Sequence, residues 1–203
     1  MDRQIYAISG GGFSKESESH LDKYLLQLVS GREKVHICFI PTASQDATGY
    51  IEKFYKAFWD QKPTHISIDE MRLADVKEEL LSQDIIYVGG GDTHYMLEVW
   101  NETGVDELLL KAYNQGVILA GLSAGAMCWF DTCFSEMDNG QYEEFQGLGI
   151  LKGTFCPHYN DKERKQMFDD WLMTKREITS YLIEDYEALH FINETWVDRI
   201  VSN

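Results

Sequence analysis

Val117-Ile-Leu-Ala-Gly-Leu-Ser-Ala-Gly-Ala126 is the stretch that decides the fold. Val117 to Ala120 is a run of apolar residues of the kind buried on both faces of a sheet. Gly121-Leu122-Ser123-Ala124-Gly125 follows as G-x-S-x-G, and the segment from Gly125 to Phe130 begins a helix. Strand, sharp turn and helix in that order is the setting in which this pentapeptide lifts a serine hydroxyl above a sheet. Small residues around Ser123 suit a turn whose dihedrals are strained and whose neighbours stand close. A helix N-terminus beneath it favours negative charge.

Outward from this turn the same alternation repeats. Upstream, the strands expected are Gln4 to Ser9, Val35 to Ile40, His65 to Ile68 and Asp84 to Val88. Helices are expected over Ser19 to Ser30, Tyr50 to Trp59, Val76 to Ser82, Thr93 to Asn101 and Val105 to Asn114. In the first, Leu21, Leu25, Leu26 and Val29 form one apolar stripe, with Ser19 as N-cap and Gly31 as C-cap. Downstream, Glu163 to Thr174 reads as helix. Ser180–Ile183, Leu189–Ile192 and Trp196–Val201 read as short strands joined by turns at Glu184-Asp185 and Asn193-Glu194. Strands alternating with helices need crossover connections, so the fold class is α/β: a mostly parallel sheet, helices on both faces, and a short antiparallel C-terminal extension. Ligands of such sheets lie beyond the carboxyl ends of the strands. The loops after Ser9, Ile40, Val88 and Ala120 should open there.

A serine nucleophile needs a base. Of six histidines, His36 and His65 alternate with apolar residues in strands, His20 and His94 start helices, and His190 lies in the tail. His158 stands in Gly153-Thr-Phe-Cys-Pro-His-Tyr-Asn160, where Pro157 fixes the chain at a strand end, and it is the base expected for Ser123. A carboxylate must orient the imidazole; Asp131, Glu136, Asp138, Glu143, Glu144 and Asp161 all lie near, and spacing alone does not choose among them. An oxyanion hole needs backbone donors. The Ala124 amide follows the nucleophile, and Gly89-Gly90-Gly91 can bring a second amide close.

Other chemistries lack their residues. Gly10-Gly-Gly-Phe-Ser-Lys15 has neither the order of a P-loop nor that of a dinucleotide fingerprint, and no Cys/His cluster suggests zinc. No metal and no cofactor is implied. The 203 residues, at about 150 per domain, favour one domain over 1–203. Eighteen Lys and Arg against 34 Asp and Glu give a net charge of −16, which argues against nucleic-acid partners and anionic membrane surfaces. No apolar run approaches the roughly 20 residues of a membrane span, and Met1-Asp-Arg-Gln-Ile-Tyr6 has no signal-peptide core, so a cytoplasmic protein is expected. Its four cysteines, none in a C-x-x-C pair, would stay thiols there.

Taken together, Val88-Gly-Gly-Gly-Asp-Thr93, Gly121-Leu-Ser-Ala-Gly-Ala126 and Phe155-Cys-Pro-His-Tyr159 resemble the peptidase E family of serine peptidases, and the likeness runs through most of the chain. The resemblance implies a flavodoxin-like fold related to the class I glutamine amidotransferases, with serine in place of their cysteine. It implies Ser123 as nucleophile, His158 as base, and the Gly90 and Ala124 amides as oxyanion donors. Aspartyl dipeptidases of the family carry an Asp fifteen residues after the serine, where this chain has Asp138. They bind the substrate carboxylate with an arginine shortly after the histidine, to which Arg164 could correspond across a shorter loop.

The expectation is therefore a serine peptidase acting on small peptides, including dipeptides with N-terminal Asp. A hydrolase of another amide or ester, and a ligand-binding domain without activity, are the alternatives. Monomer and homodimer both stay open.

Overall fold

The computed structural model describes every residue except Met1, Ser17, Asp138 and Asn203. Its elements in chain order are β1 (Gln4–Ile8), α1 (His20–Gln27), β2 (His36–Ile40), α2 (Thr48–Ala57), β3 (Lys62–His65), α3 (Val76–Leu81), β4 (Ile85–Val88), α4 (Thr93–Thr103), α5 (Val105–Asn114), β5 (Ile118–Leu122), α6 (Ala124–Met127), β6 (Thr132–Glu136), β7 (Tyr142–Gln146), β8 (Thr154–Cys156), α7 (Lys162–Met173), β9 (Ser180–Leu182), β10 (Glu187–Ile192) and β11 (Thr195–Val201).

Seven strands form the main sheet in the order β11-β10-β1-β5-β4-β2-β3. β1, β5, β4, β2 and β3 run parallel, while β10 and β11 join antiparallel beside β1. This is the α/β sheet with an antiparallel C-terminal extension that the residue pattern implies. The alternation of side chains divides each inner strand between two cores. Ile5, Ala7, Ile86 and Val88 face a layer that includes Leu80, Met96, Trp100 and Leu109 of α3, α4 and α5. Tyr6, Ile8, Ile85 and Tyr87 face Leu21, Leu25 and Phe54 of α1 and α2. All four residues of β4 are fully buried, which is why its sequence is uniformly apolar rather than alternating.

Caps fix the helix starts. Ser19, Asp92 and Asp161 each accept a backbone N–H of the first turn of α1, α4 and α7 with the side chain. The third strand lies a few residues before the expected His65–Ile68. It begins at Lys62 and includes Pro63, which an edge strand tolerates because one side needs no donors.

Two small units complete the molecule. β6 and β7 pair as an antiparallel hairpin that the sequence reading did not anticipate. β8 and β9 pair in parallel, with α7 between them. Phe134, Cys156, Phe168 and Trp171 close a third core between hairpin and helix, with the Phe134 and Trp171 rings stacked 4.6 Å apart. The four cysteines are free and buried. Among the described residues no helix is long and apolar enough to cross a membrane.

Candidate active site

β5 ends at Leu122, and the chain turns at Ser123 with φ 53° and ψ −108° before α6 begins at Ala124. A positive φ at a residue with a Cβ costs about 1–3 kcal/mol and persists only where the surroundings hold it. Here the Ser123 N–H donates to the Ile8 carbonyl (2.9 Å), and the Ser123 carbonyl accepts from Ala126 and Met127 (3.0 and 2.9 Å). Gly125 is needed sterically: a Cβ there would stand 2.3 Å from the Val88 carbonyl oxygen. The small residues of the motif thus let the turn lie against β4.

β1, β5 and β4 are neighbours, so the loops leaving them meet at one edge of the sheet. Ser123, Gly10, Gly90 and Tyr50 line a cavity of about 350 Å³ there, together with His158 and Asp185. The last two arrive from the second parallel unit. His158 follows the end of β8, and Asp185 follows the end of β9. Because β8 and β9 are parallel neighbours, their carboxyl ends lie side by side, and a helix of chain between them separates the two residues in sequence.

Ser123 Oγ lies 2.9 Å from His158 Nε2, and His158 Nδ1 lies 2.5 Å from Asp185 Oδ1. A carboxylate only accepts, so it holds the imidazole proton at Nδ1 and leaves Nε2 to accept from the serine hydroxyl. The supporting bonds are specific. His158 adopts φ 56°. Its N–H donates to the buried Ser9 hydroxyl (2.7 Å), which itself donates to the Ile183 carbonyl (2.8 Å). Asn160 braces the carboxylate from both sides: its Oδ1 accepts the Asp185 N–H (3.0 Å), and its Nδ2 donates to Asp185 Oδ2 (3.3 Å). Gly10 makes room, since a Cβ there would fall 1.9 Å from Asp185 Oδ1.

The structure therefore brings Ser123 and His158 together and adds a carboxylate outside those considered from sequence. Asp185 occupies the orienting position at Nδ1. Asp138 lies outside the described residues. Asp131 instead pairs with Lys152 (3.2 Å) and Glu144 accepts from the Trp171 indole (2.9 Å), while Asp161 caps α7. Four of the remaining histidines have other partners. His36 meets Lys62 and His65 meets Tyr55 (3.0 and 2.9 Å), His190 lies between Tyr24 and Gln4, and His94 is 3.7 Å from Glu98.

The two amides differ. Ala124 heads α6, where no preceding turn can accept its N–H. The Gly90 N–H is already engaged, donating to the Tyr50 hydroxyl at 3.2 Å. The phenol belongs to α2 and reaches across to the glycine loop, whose Gly90 amide the family resemblance assigns to the oxyanion. Arg164 lies on the first turn of α7, in a second cavity of about 440 Å³ that it shares with His158, Asp185, Glu136, Tyr142 and Glu163. Its Nη1 is buried and has no hydrogen-bond partner among the described residues. No group of His, Cys, Asp and Glu side chains that could hold a metal occurs among the described residues.

An open parallel sheet with a serine, histidine and carboxylate aligned at its carboxyl edge defines the class of molecule in physical terms. Residues 5–198 match peptidase family S51, and the chain belongs to that family. It is 42% identical over 204 residues to the uncharacterized peptidase YgaJ of Bacillus subtilis strain 168, covering 98% of this chain and 88% of that one. It is 28% identical over 155 residues to peptidase E of a Nostoc strain, covering 70% of this chain and 63% of the relative. A crystal structure of a peptidase from an acI-B1 Actinobacterium superposes with a TM-score of 0.71 over 93% of this chain and 82% of that one, at 20% identity, a likeness of fold. Family membership makes the protein a peptidase.

Proposed function

We propose that the protein is a serine exopeptidase that cleaves small peptides by acyl transfer, with dipeptides bearing N-terminal aspartate as preferred substrates. The observation that carries this reading is the unbroken line of hydrogen bonds from Ser123 Oγ through His158 to Asp185 at the mouth of a cavity. Ser123 Oγ attacks the scissile carbonyl carbon. The Oγ–C bond forms, the carbonyl π pair moves onto oxygen, and the hydroxyl proton passes to His158 Nε2. Asp185 keeps its charge and stabilises the imidazolium. His158 then gives the proton to the departing amine nitrogen as the C–N bond breaks. Water, deprotonated by the same histidine, releases the acyl group and restores the serine.

Substrate choice rests on Arg164. A buried guanidinium nitrogen without an acceptor is costly, and an anionic side chain entering the cavity supplies what is missing. A carboxylate can take two parallel bonds from arginine. Glu136 and Glu163 in the same cavity provide the anionic wall that suits a free α-ammonium, which favours an exopeptidase acting on short substrates.

Pools of dipeptides, each with one fixed N-terminal residue, test both parts. Fastest release from the Asp pool, abolished in Ser123→Ala, is the expected result. A neutral pool cleaved faster than the Asp pool contradicts the substrate reading, and a Ser123→Ala protein with full activity contradicts the serine mechanism.

A further inference from the structure

We propose that the hydroxyl of Tyr50 is a catalytic residue of this site, donating its O–H to the oxyanion in the place expected for the Gly90 N–H. The inference rests on the acyl-transfer reading above and extends it to a residue forty positions from Gly90. The Gly90 N–H points at the phenol oxygen, at 3.2 Å, so a substrate oxygen can reach that amide only by displacing the phenol. The phenol is not free to leave. Its ring lies flat on Phe13 at 5.2 Å between centroids and meets Phe39 edge-on at 5.1 Å. Its Cε1 sits 2.9 Å from where a Cβ of Gly89 would stand, so it is pressed against the glycine loop itself.

Tyr50 lines the same cavity as Ser123 and His158. A phenol that accepts from an amide still has its own proton to donate, and among the described residues that proton has no acceptor. Accepting from Gly90 polarises the O–H and strengthens it as a donor. Burial holds the phenol well above its ordinary pKa, against the opposing pull of the Gly90 bond, and the nearby Asp22 adds to the rise. The hydroxyl therefore stays protonated across the working range and acts by hydrogen bonding without transferring its proton. As Ser123 Oγ bonds to the carbonyl carbon and the π pair moves to oxygen, Tyr50 O–H and Ala124 N–H meet the new charge. Their stabilisation grows with the charge, which is the requirement for raising kcat.

The test uses the full chain with Tyr50→Phe, which keeps the ring and its aromatic contacts and removes only the donor. Turnover of the best dipeptide is measured, with binding of the boronic acid analogue of aspartate, whose tetrahedral adduct on Ser123 carries the oxyanion. Loss of one oxyanion donor predicts about a 100-fold fall in kcat. KM should stay within about threefold, and the boronate should bind weaker by a factor like that in kcat. Unchanged or faster turnover with unchanged boronate affinity overturns the proposal, since Gly90 then serves directly once the phenol oxygen is gone. If Tyr50→Phe does not fold, 3-fluorotyrosine at position 50 decides. This more acidic phenol should bind the boronate tighter than tyrosine, and equal or weaker binding overturns the proposal. A wild-type protein that neither cleaves peptides nor binds the boronate defeats the serine-peptidase reading itself, and this inference with it.

Discussion

The native protein should lose stability between acid and neutral pH through Asp22, and Asp22→Asn should flatten that decline. Asp22 stands in the first turn of α1, 5% exposed. Its Oδ1 accepts from the Tyr87 hydroxyl at 3.3 Å, and its Oδ2 has no partner among the described residues. Burial pushes its pKa from 3.8 up to about 7, although the bonds from Tyr87 and the Phe13 backbone pull the other way. The folded protein therefore holds a proton that the unfolded chain releases. Stability contributed by the neutral acid is fully present below pH 3.8 and is lost as pH rises through about 7. A rise of about three units corresponds to about 4 kcal/mol at 1.36 kcal/mol per unit. Some of that is already gone at pH 5, which leaves about 3 kcal/mol to be lost between pH 5 and pH 8. Urea unfolding of both proteins at these two pH values measures it. Other titrating groups cancel in the comparison, so the Asn variant should gain about 3 kcal/mol relative to the native chain at pH 8 over pH 5. Stability curves that run parallel in pH would refute the argument that burial keeps this carboxyl neutral.

Three further predictions concern the site. Asp185→Asn turns the acceptor at His158 Nδ1 into a group able to donate, which favours the wrong tautomer; kcat should fall by about 10³–10⁴-fold with little change in KM in steady-state assays. His158→Gln should remove most of the rate in steady-state assays, because the acceptor 2.9 Å from Ser123 Oγ is lost and the serine proton has no base to go to. Arg164→Met should lower kcat/KM for Asp-Xaa dipeptides by about 30-fold or more, with neutral dipeptides nearly unaffected, as expected when a carboxylate loses a desolvated partner worth about 2–5 kcal/mol.

What could be read in advance was local. The apolar runs at Ile5–Ile8, Ile37–Ile40 and Ile85–Val88 announce a sheet buried on both faces. The turn from Gly121 to Gly125 shows its steric reason in the residues themselves. Asp185 was hidden because its approach to His158 depends on two strand ends being parallel neighbours, and the sequence separation of 27 residues is filled by α7. A signal was present: strand, helix and strand from Thr154 to Leu182 form a crossover unit, and such a unit sets the loops after both strands side by side. Tyr50 was hidden more deeply. Its position in α2 marks it as part of the apolar stripe, and nothing in the stripe says that the phenol oxygen extends past the core to Gly90. The β6–β7 hairpin escaped for another reason. Tyr142–Gln146 is partly to fully exposed along its length, and its Glu-rich composition carries little of the usual strand signal.

Covalent labelling tests the central claim most directly. The native chain is incubated with a fluorophosphonate, digested, and mapped by mass spectrometry, with His158→Gln treated alongside. The account predicts one phosphonylated site, at Ser123, formed much more slowly in the histidine variant because the hydroxyl loses its base. An unlabelled Ser123 in active native protein, or equal labelling with and without His158, would contradict it.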